Sequence, residues 1–317
     1  MLSSFGQETI TDASTFGKVA VLMGGMSSER EISLKSGNAV LSALQARGVD
    51  AHGVDAGRDV MSVLEEGAFD RVFIALHGEG GEDGKIQGAL ETVGLPYTGT
   101  GVLGSALGMD KVRTKQLWAG LGLATPKYAI YPKMDSVEEI VELVGLPAIV
   151  KPSAQGSSIG MAKIERADEL QTALQEAVKY DDEVLIEQWI TGEEYTVAIL
   201  AGKALPAIKL ETPHTFYDYE AKYVSNDTRY LCPCGLDQET ESTYQVLAFE
   251  AFEAVGCYGW GRVDLMVNEQ GPWLLEVNTV PGMTDHSLVP MAAKQAGIDF
   301  QSLVWRILEQ TVEVKVN

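Results

Sequence analysis

Cysteine is scarce in this chain of 317 residues: Cys232, Cys234 and Cys257 are the only three. Their number is odd, and Cys232-Pro233-Cys234 alone is not a zinc pattern. The simplest state is three reduced, cytosolic thiols. Apolar runs long enough to cross a bilayer are also lacking. Residues 1–17 hold no Lys or Arg and no long apolar core. They do not read as a secretory signal and are expected to form a disordered polar tail. Positive charge is in deficit: 24 Lys and Arg stand against 45 Asp and Glu, a net charge of −21. This argues against a nucleic-acid surface or an anionic membrane as partner. It does not exclude a nucleotide, which needs only a few local cations. Two phosphate-binding signatures are missing as well: G-x-G-x-x-G, and G-K-[ST] opening a helix.

What is present starts with a chain that is 45% hydrophobic, enough for two or three packed domains. Val19–Met23 reads as a buried strand, Gly24–Ser28 as a turn, and Glu29 onward as a helix with Ser36, Val40 and Leu44 on one face. Strand, glycine turn and helix suggest an α/β unit with a ligand at the helix N-terminus. Glu29 there suits a cationic group such as an ammonium, or simply complements the helix dipole. Val72–Leu76 is a second buried strand. It runs into His77-Gly78-Glu79-Gly80-Gly81-Glu82-Asp83-Gly84, a flexible loop at a strand's carboxyl end, where open α/β sheets bind ligands. His77 is either structural or functional in that position. Residues 97–108 are again Gly-rich, and Asp110 is a candidate N-cap for a helix beginning at Met109-Asp110-Lys111, where the first boundary falls.

Leu146–Pro152 reads as a strand ending in Lys151, followed by the small-residue loop Ser153–Gly160. Backbone N–H groups of such a loop wrap an anion, with the Ser157 and Ser158 hydroxyls as added donors. A helix near Ala167–Tyr180 precedes the strand Glu183–Ile190. Its exit, Gln188-Trp189-Ile190, exposes backbone groups that can pair with an adenine edge. Glu194 beyond it is a ribose-binding candidate or an ordinary loop acid. Thr215–Tyr223 is aromatic and charged, a lid candidate or an aromatic cluster covering core. The runs Trp260–Val267 and Trp273–Val277 read as a β-hairpin around a turn at 268–272. A turn centred near Gln270 sets Asp264 opposite Glu276 and Arg262 opposite Asn278, all on one face. Opposed carboxylates repel. They suit a hard divalent cation held between them; the alternative is a surface hairpin with solvated charges. Leu265, Val267, Leu274 and Leu275 point to a packed sheet. The loop Pro281–Leu288 lies near the carboxylates, and the closing helix Asp299–Gln310 reads as structural.

Seven motifs stand in order: GG-x-S-S-E-R-E, A-L-H-G-x-G-G-E-D-G, M-D-K, V-K-P-S-x-x-G-S-S-x-G, T-F-Y-D-Y-E-A-K-Y, G-W-G-R-x-D and E-x-N-T-x-P-G-M-T-x-H-S. Together they closely resemble the D-alanine–D-alanine ligase family of the ATP-grasp superfamily, over about Lys18 to Leu308. Val280, where relatives often carry Ser, is a minor departure. The resemblance implies an α/β fold, α+β in the ATP-grasp part, with a Rossmann-like pre-ATP-grasp domain. After the tail at 1–17, the implied units are a substrate domain at 18–110, a central ATP-grasp subdomain at 111–192 and a C-terminal subdomain at 193–317. It further implies ATP-dependent joining of two D-alanines through an acyl phosphate, in a bacterial cytosolic homodimer making peptidoglycan precursors.

By the same resemblance, Asp264, Glu276 and Asn278 hold two Mg²⁺ or Mn²⁺, while Lys111, Lys151, Ser158 and Lys222 contact phosphates. Gln188, Trp189 and Ile190 line the adenine site, with Glu187 on its exocyclic amine and Glu194 on the ribose. Arg262 and the Gly282 N–H stabilise an oxyanion. Glu29 binds the first ammonium with His77 nearby, and Tyr217 belongs to the substrate set. Ser287 and Leu288 hold the second substrate, and a Glu29–Ser157–Tyr223 hydrogen-bond set pins the lid.

Overall fold

The structure is a computed structural model and describes residues 8–156, 159–212, 227–284 and 286–313. The apolar run Lys18–Met23 forms β1, and positive-φ glycines at Gly24 and Gly25 turn the chain into α1, Arg30–Ala46. That helix buries Ile32, Ser33, Ser36, Val40, Ala43 and Leu44, the one-sided spacing expected of it. Next come β2 (Asp50–Asp55), α2 (Val60–Gly67) and β3 (Arg71–Ile74). β1 lies between β2 and β3, parallel to both. Parallel neighbours need crossovers, which α1 and α2 supply.

The stretch expected to be a disordered tail is packed from Glu8 onward. Asp12 accepts from the Ser14 N–H and caps a single 3-10 turn, Ala13–Phe16. Phe16 is fully buried and meets the Trp305 ring edge-on at 4.8 Å. Glu8 takes two guanidinium bonds from Arg47, of 2.8 and 2.7 Å, and the Trp305 indole N–H donates to the Ile10 carbonyl. A polar composition hid one aromatic anchor and a few specific partners.

After β3 come α3 (Lys85–Val93) and α4 (Val102–Met109), the latter inside the Gly-rich stretch. Gly104 lets α4 lie on the Gly256 backbone, since a Cβ there would sit 2.3 Å from the Gly256 carbonyl oxygen. Asp110 then caps α5, Lys111–Gly120, by accepting from the Arg113 N–H, as expected. Next are β4 (Tyr128–Tyr131), α6 (Val137–Val144), β5 (Ala148–Pro152), β6 (Ala162–Ile164), α7 (Ala167–Ala177) and β7 (Val184–Gln188). Their strands make an antiparallel sheet in the order β4-β7-β5-β6. Ile140 and Val144 of α6 and Leu170 and Leu174 of α7 pack on Val150 and Ile186 to give it a core of its own.

The last sheet is built from β8 (Glu193–Leu200), β9 (Lys203–Ala204), β10 (Ile208–Glu211), β11 (Arg229–Leu231), β12 (Trp260–Asn268) and β13 (Gly271–Asn278). Its order is β11-β10-β8-β12-β13, with β9 on β8. One helix, α8 (Gln238–Ala254), covers it through Ala248, Ala251 and Phe252, joined by Trp118 of α5. α9 (Leu288–Gln295) and α10 (Phe300–Glu313) then return to the first sheet, where Val289, Val304 and Leu308 share one core with Val21, Leu22 and Phe73.

The hairpin pairs Arg262 with Asn278 and Asp264 with Glu276, as the sequence reading required. Its turn is tighter than expected, with only Glu269 and Gln270 between the strands. A bulge between Asp264 and Leu265 compensates, because Leu265 pairs with Leu274 and Leu275 is the extra residue. Leu274 and Val277 are buried beneath, while Leu275 and Glu276 both line a cleft.

Candidate functional site

Two clefts adjoin at the acidic hairpin. The first, about 550 Å³, is lined by Glu29, Ile32, His77, Glu82, Lys111, Arg262, Glu276, Asn278, Gly282, Ser287 and Leu288. The second, about 490 Å³, is lined by Lys151, Glu187, Gln188, Trp189, Ile190, Glu194, Asp264, Leu275 and Glu276. Glu276 belongs to both. The structure thus brings together every expected site residue within its described range. Ser157, Ser158, Tyr217, Lys222 and Tyr223 lie outside the described residues.

Asp264 is buried, and its carboxylate has three neighbours. Arg262 grips it with two N–H bonds of 2.8 and 2.7 Å, the Thr196 hydroxyl donates at 2.5 Å, and the Asn278 amide donates at 3.1 Å. Strand pairing explains this grouping, since Thr196 on β8 and Glu276 on β13 flank Asp264 in register. Thr196 escaped the sequence reading because nothing local says that β8 is the neighbour of β12. The Lys111 ammonium stands 3.7 Å from Glu276 and donates to the Gln155 carbonyl at 2.7 Å, linking α5 to the small-residue loop. Among the described residues no group of three or more His, Cys, Asp or Glu is placed so that it could hold a metal ion. The oxygen donors are the Asp264 and Glu276 carboxylates and the Asn278 amide.

His77 is buried, and both ring nitrogens are engaged. Nδ1 lies 2.8 Å from the Val280 carbonyl oxygen and Nε2 lies 3.0 Å from the Ser36 hydroxyl. An N–H at Nδ1 donates to the carbonyl, and Nε2 accepts from Ser36. Ser36 in turn accepts from the Met283 N–H at 3.1 Å. Burial, with the Arg262 charge adding to it, lowers the His77 pKa to about 4, so the ring is neutral. Of the two roles open from the sequence, the geometry favours holding the Val280–Met283 loop, and with it Gly282, against α1.

Glu29 is buried at the start of α1 and does not cap it with its side chain. A Cβ at Gly78 would sit 2.8 Å from its Oε2, so the first glycine after His77 leaves room for this carboxylate. Nothing local in the sequence marks Glu82 as a site residue. It lines the same cleft and accepts from the Gly78 N–H at 2.8 Å. Burial, with the Glu29 charge second, pushes its pKa up to about 8. One carboxyl of the pair is therefore held protonated near neutral pH. Ser287 accepts from the Thr284 N–H at 2.9 Å, and Leu288 opens α9.

In the second cleft the Glu187 carboxylate is ion-paired to two ammoniums, Lys115 and Lys151. The attraction of both lysines outweighs desolvation and lowers its pKa. Trp189 lies beneath the Lys163 ammonium, which is 4.7 Å from its ring centroid. The Gln188 N–H donates to the Lys127 carbonyl and the Trp189 N–H to the Pro147 carbonyl.

Comparison with known proteins agrees with this arrangement. The family model described as D-ala D-ala ligase C-terminus matches residues 117–309, and that described as D-ala D-ala ligase N-terminus matches residues 56–100. A D-alanine–D-alanine ligase of Ectopseudomonas mendocina (strain ymp) is 59% identical over 305 residues, covering 96% of this chain and 97% of the relative. One from Stutzerimonas stutzeri (strain A1501) is 58% identical over 307 residues, covering 96% and 98%. The crystal structure of the Bacillus anthracis D-alanine–D-alanine ligase superposes with a TM-score of 0.83 at 36% identity, covering 93% of this chain and 97% of that one. A crystal structure of a Bacillus anthracis D-alanine–D-alanine ligase complexed with ATP gives 0.82 at 32% identity, with the same coverage. With matches of this extent on sequence and on fold, the chain belongs to the D-alanine–D-alanine ligase family and has the ATP-grasp fold.

Proposed function

We propose that this chain joins two D-alanines into D-alanyl-D-alanine at the expense of ATP, through a D-alanyl phosphate. The observation that supports this most is the meeting of the two clefts at Glu276. A nucleotide in the second cleft would present its terminal phosphate where an amino acid in the first presents its carboxylate. Phosphoryl transfer needs positioning and charge neutralisation more than covalent participation.

Lys111 and Lys151 supply cations on either side of that junction. Glu29 takes the first substrate's ammonium, with Glu82 lining the same cleft beside it. Arg262 and the Gly282 N–H steady the oxyanion formed when the second amine attacks. Ser287 and Leu288 close the far end. Gln188, Trp189 and Ile190 hold the adenine edge, and Glu194 the ribose. Lys222, Tyr217, Tyr223, Ser157 and Ser158 complete the phosphate, substrate and lid contacts. The family resemblance puts Glu187 on the exocyclic amine of adenine. Its carboxylate is committed to two lysines, so any such contact is additional to them.

The donor set of Asp264, Glu276 and Asn278 is oxygen-only and fits a hard divalent cation such as Mg²⁺ or Mn²⁺. Bound there, the cation would neutralise phosphate charge. No helix among the described residues is long and apolar enough to cross a membrane. Within the reading, the chain works in the cytoplasm as a homodimer, divided near 110 and 192, and makes peptidoglycan precursors. Phosphate release from ATP with D-alanine, L-alanine or neither tests it. Release specific to D-alanine, with the dipeptide as product, is expected. Equal release with all three would overturn it.

A further inference from the structure

Lys115 is fully buried, and neither the sequence motifs nor the reaction gives it a task. It sits one turn after Lys111 on α5. Its ammonium donates to the Thr125 hydroxyl at 2.7 Å and the Leu274 carbonyl at 3.3 Å, and it pairs with Glu187. Two of its N–H groups thus donate to uncharged oxygens, while the Glu187 carboxylate meets it as an ion pair. The other oxygen of Glu187 binds the Lys151 ammonium at 2.6 Å. Lys151 lines the second cleft. Two lysines therefore share one carboxylate, and this buried group carries one net positive charge.

We propose that Lys115 is a positioning residue for the nucleotide's phosphates, which it serves by sharing Glu187 and so leaving Lys151 with an uncancelled charge toward the cleft. With a neutral side chain at 115, Lys151 and Glu187 form a closed one-to-one pair. The carboxylate then draws Lys151 back into the floor, and the cleft loses its surplus charge. A plain structural bolt would tie α5 to β7 and β13 without regard to the charge count. The two roles separate because adenosine occupies the cleft without phosphates and ADP occupies it with them. This inference rests on the nucleotide reading of the second cleft.

The test is the affinity of the full chain for ADP and for adenosine, measured by calorimetry. In Lys115→Met the ratio of ADP to adenosine affinity should fall on the order of tenfold, because one unit of nearby charge is lost in a partly screened site. Lys115→Met combined with Glu187→Gln leaves one lysine and no carboxylate, which restores the surplus, and the ratio should recover. Glu187→Gln alone should raise the ratio even if adenosine binding weakens. That variant carries the test if Lys115→Met does not fold. An unchanged ratio in Lys115→Met, no recovery in the double variant, or no rise in Glu187→Gln overturns the inference. Failure of the unsubstituted chain to bind either ligand would instead sink the nucleotide reading itself.

Discussion

Replacing Phe16 by alanine tests whether the N-terminal segment is a built part of the fold. The side chain is fully buried and packs edge-on against Trp305. Truncating a buried phenylalanine costs about 3–5 kcal/mol, from lost transfer energy and the cavity left behind. The edge-on ring pair supplies about 0.5–1.5 kcal/mol beyond its buried area. The contacts that remain, among them the partly exposed Glu8–Arg47 pair and the Trp305–Ile10 hydrogen bond, are worth about 1 kcal/mol each and do not replace the lost buried area. The expected outcome is a loss of about 3 kcal/mol or more in urea unfolding followed by tryptophan fluorescence. Leu103→Ala, 70% exposed on α4, serves as the surface control. Phosphate release should be unchanged below the transition, since Phe16 lines neither cleft. A loss no larger than the control's would restore the picture of a loose tail and refute the packing argument.

Three further outcomes are expected. Glu276→Gln should cut D-alanine-dependent phosphate release by about a hundredfold or more at unchanged circular dichroism, because it removes a carboxylate common to both clefts; near-normal turnover would defeat the metal assignment. The pH dependence of stability should carry the mark of His77. Its pKa falls from 6.5 to about 4 on folding, so the unfolded chain takes up the proton first and stability declines as pH drops from 6.5 toward 4, by up to about 3 kcal/mol. Glu82, raised to about 8, acts oppositely. Its contribution is full below about 4.5 and fades as pH rises toward 8. Glu82→Gln should therefore steepen the acid loss between pH 6.5 and 4.5; identical denaturant midpoints against pH in the two proteins would count against the Glu82 assignment, and a flat profile over that range in Glu82→Gln would count against that of His77. Finally, on the proposal that Tyr223 closes over the acceptor, a tyrosine side chain, uncharged at neutral pH in the ordinary case, would not repel an incoming ammonium. D-alanine should outcompete D-lactate as acceptor when products are separated by chromatography, and predominant depsipeptide at pH 7 would overturn that role.

Much of the site was readable because it lies on short-range patterns. The hairpin register follows from period-two alternation, and two errors in it cancelled: the turn is shorter than inferred and the bulge at Leu275 takes up the slack. Asp110 and α5 were legible from capping chemistry. What stayed hidden depends on pairing between distant segments. Thr196 reaches Asp264 only because β8 neighbours β12. Lys115 reads as an ordinary helix residue until Glu187 arrives across the central sheet. Glu82 carries its shifted pKa because the fold buries it and, second, sets Glu29 beside it, neither of which the local sequence shows. Helix α4 was obscured by its glycines, of which Gly104 serves the close approach to Gly256.

The core shared by the first sheet and the last two helices has a consequence for how the chain is made. Strands β1 to β3 leave the ribosome well before Val289, Val304 and Leu308, which complete their core, are translated. The sheet around β5 and β7 meets no such delay, since α6 and α7 cover it from nearby sequence. Nascent chains should therefore acquire protease resistance in the middle first, while an unfinished apolar sheet waits upstream for its cover. Closure of that long loop is entropically slow, and a waiting apolar face is the kind of surface that holdase chaperones bind.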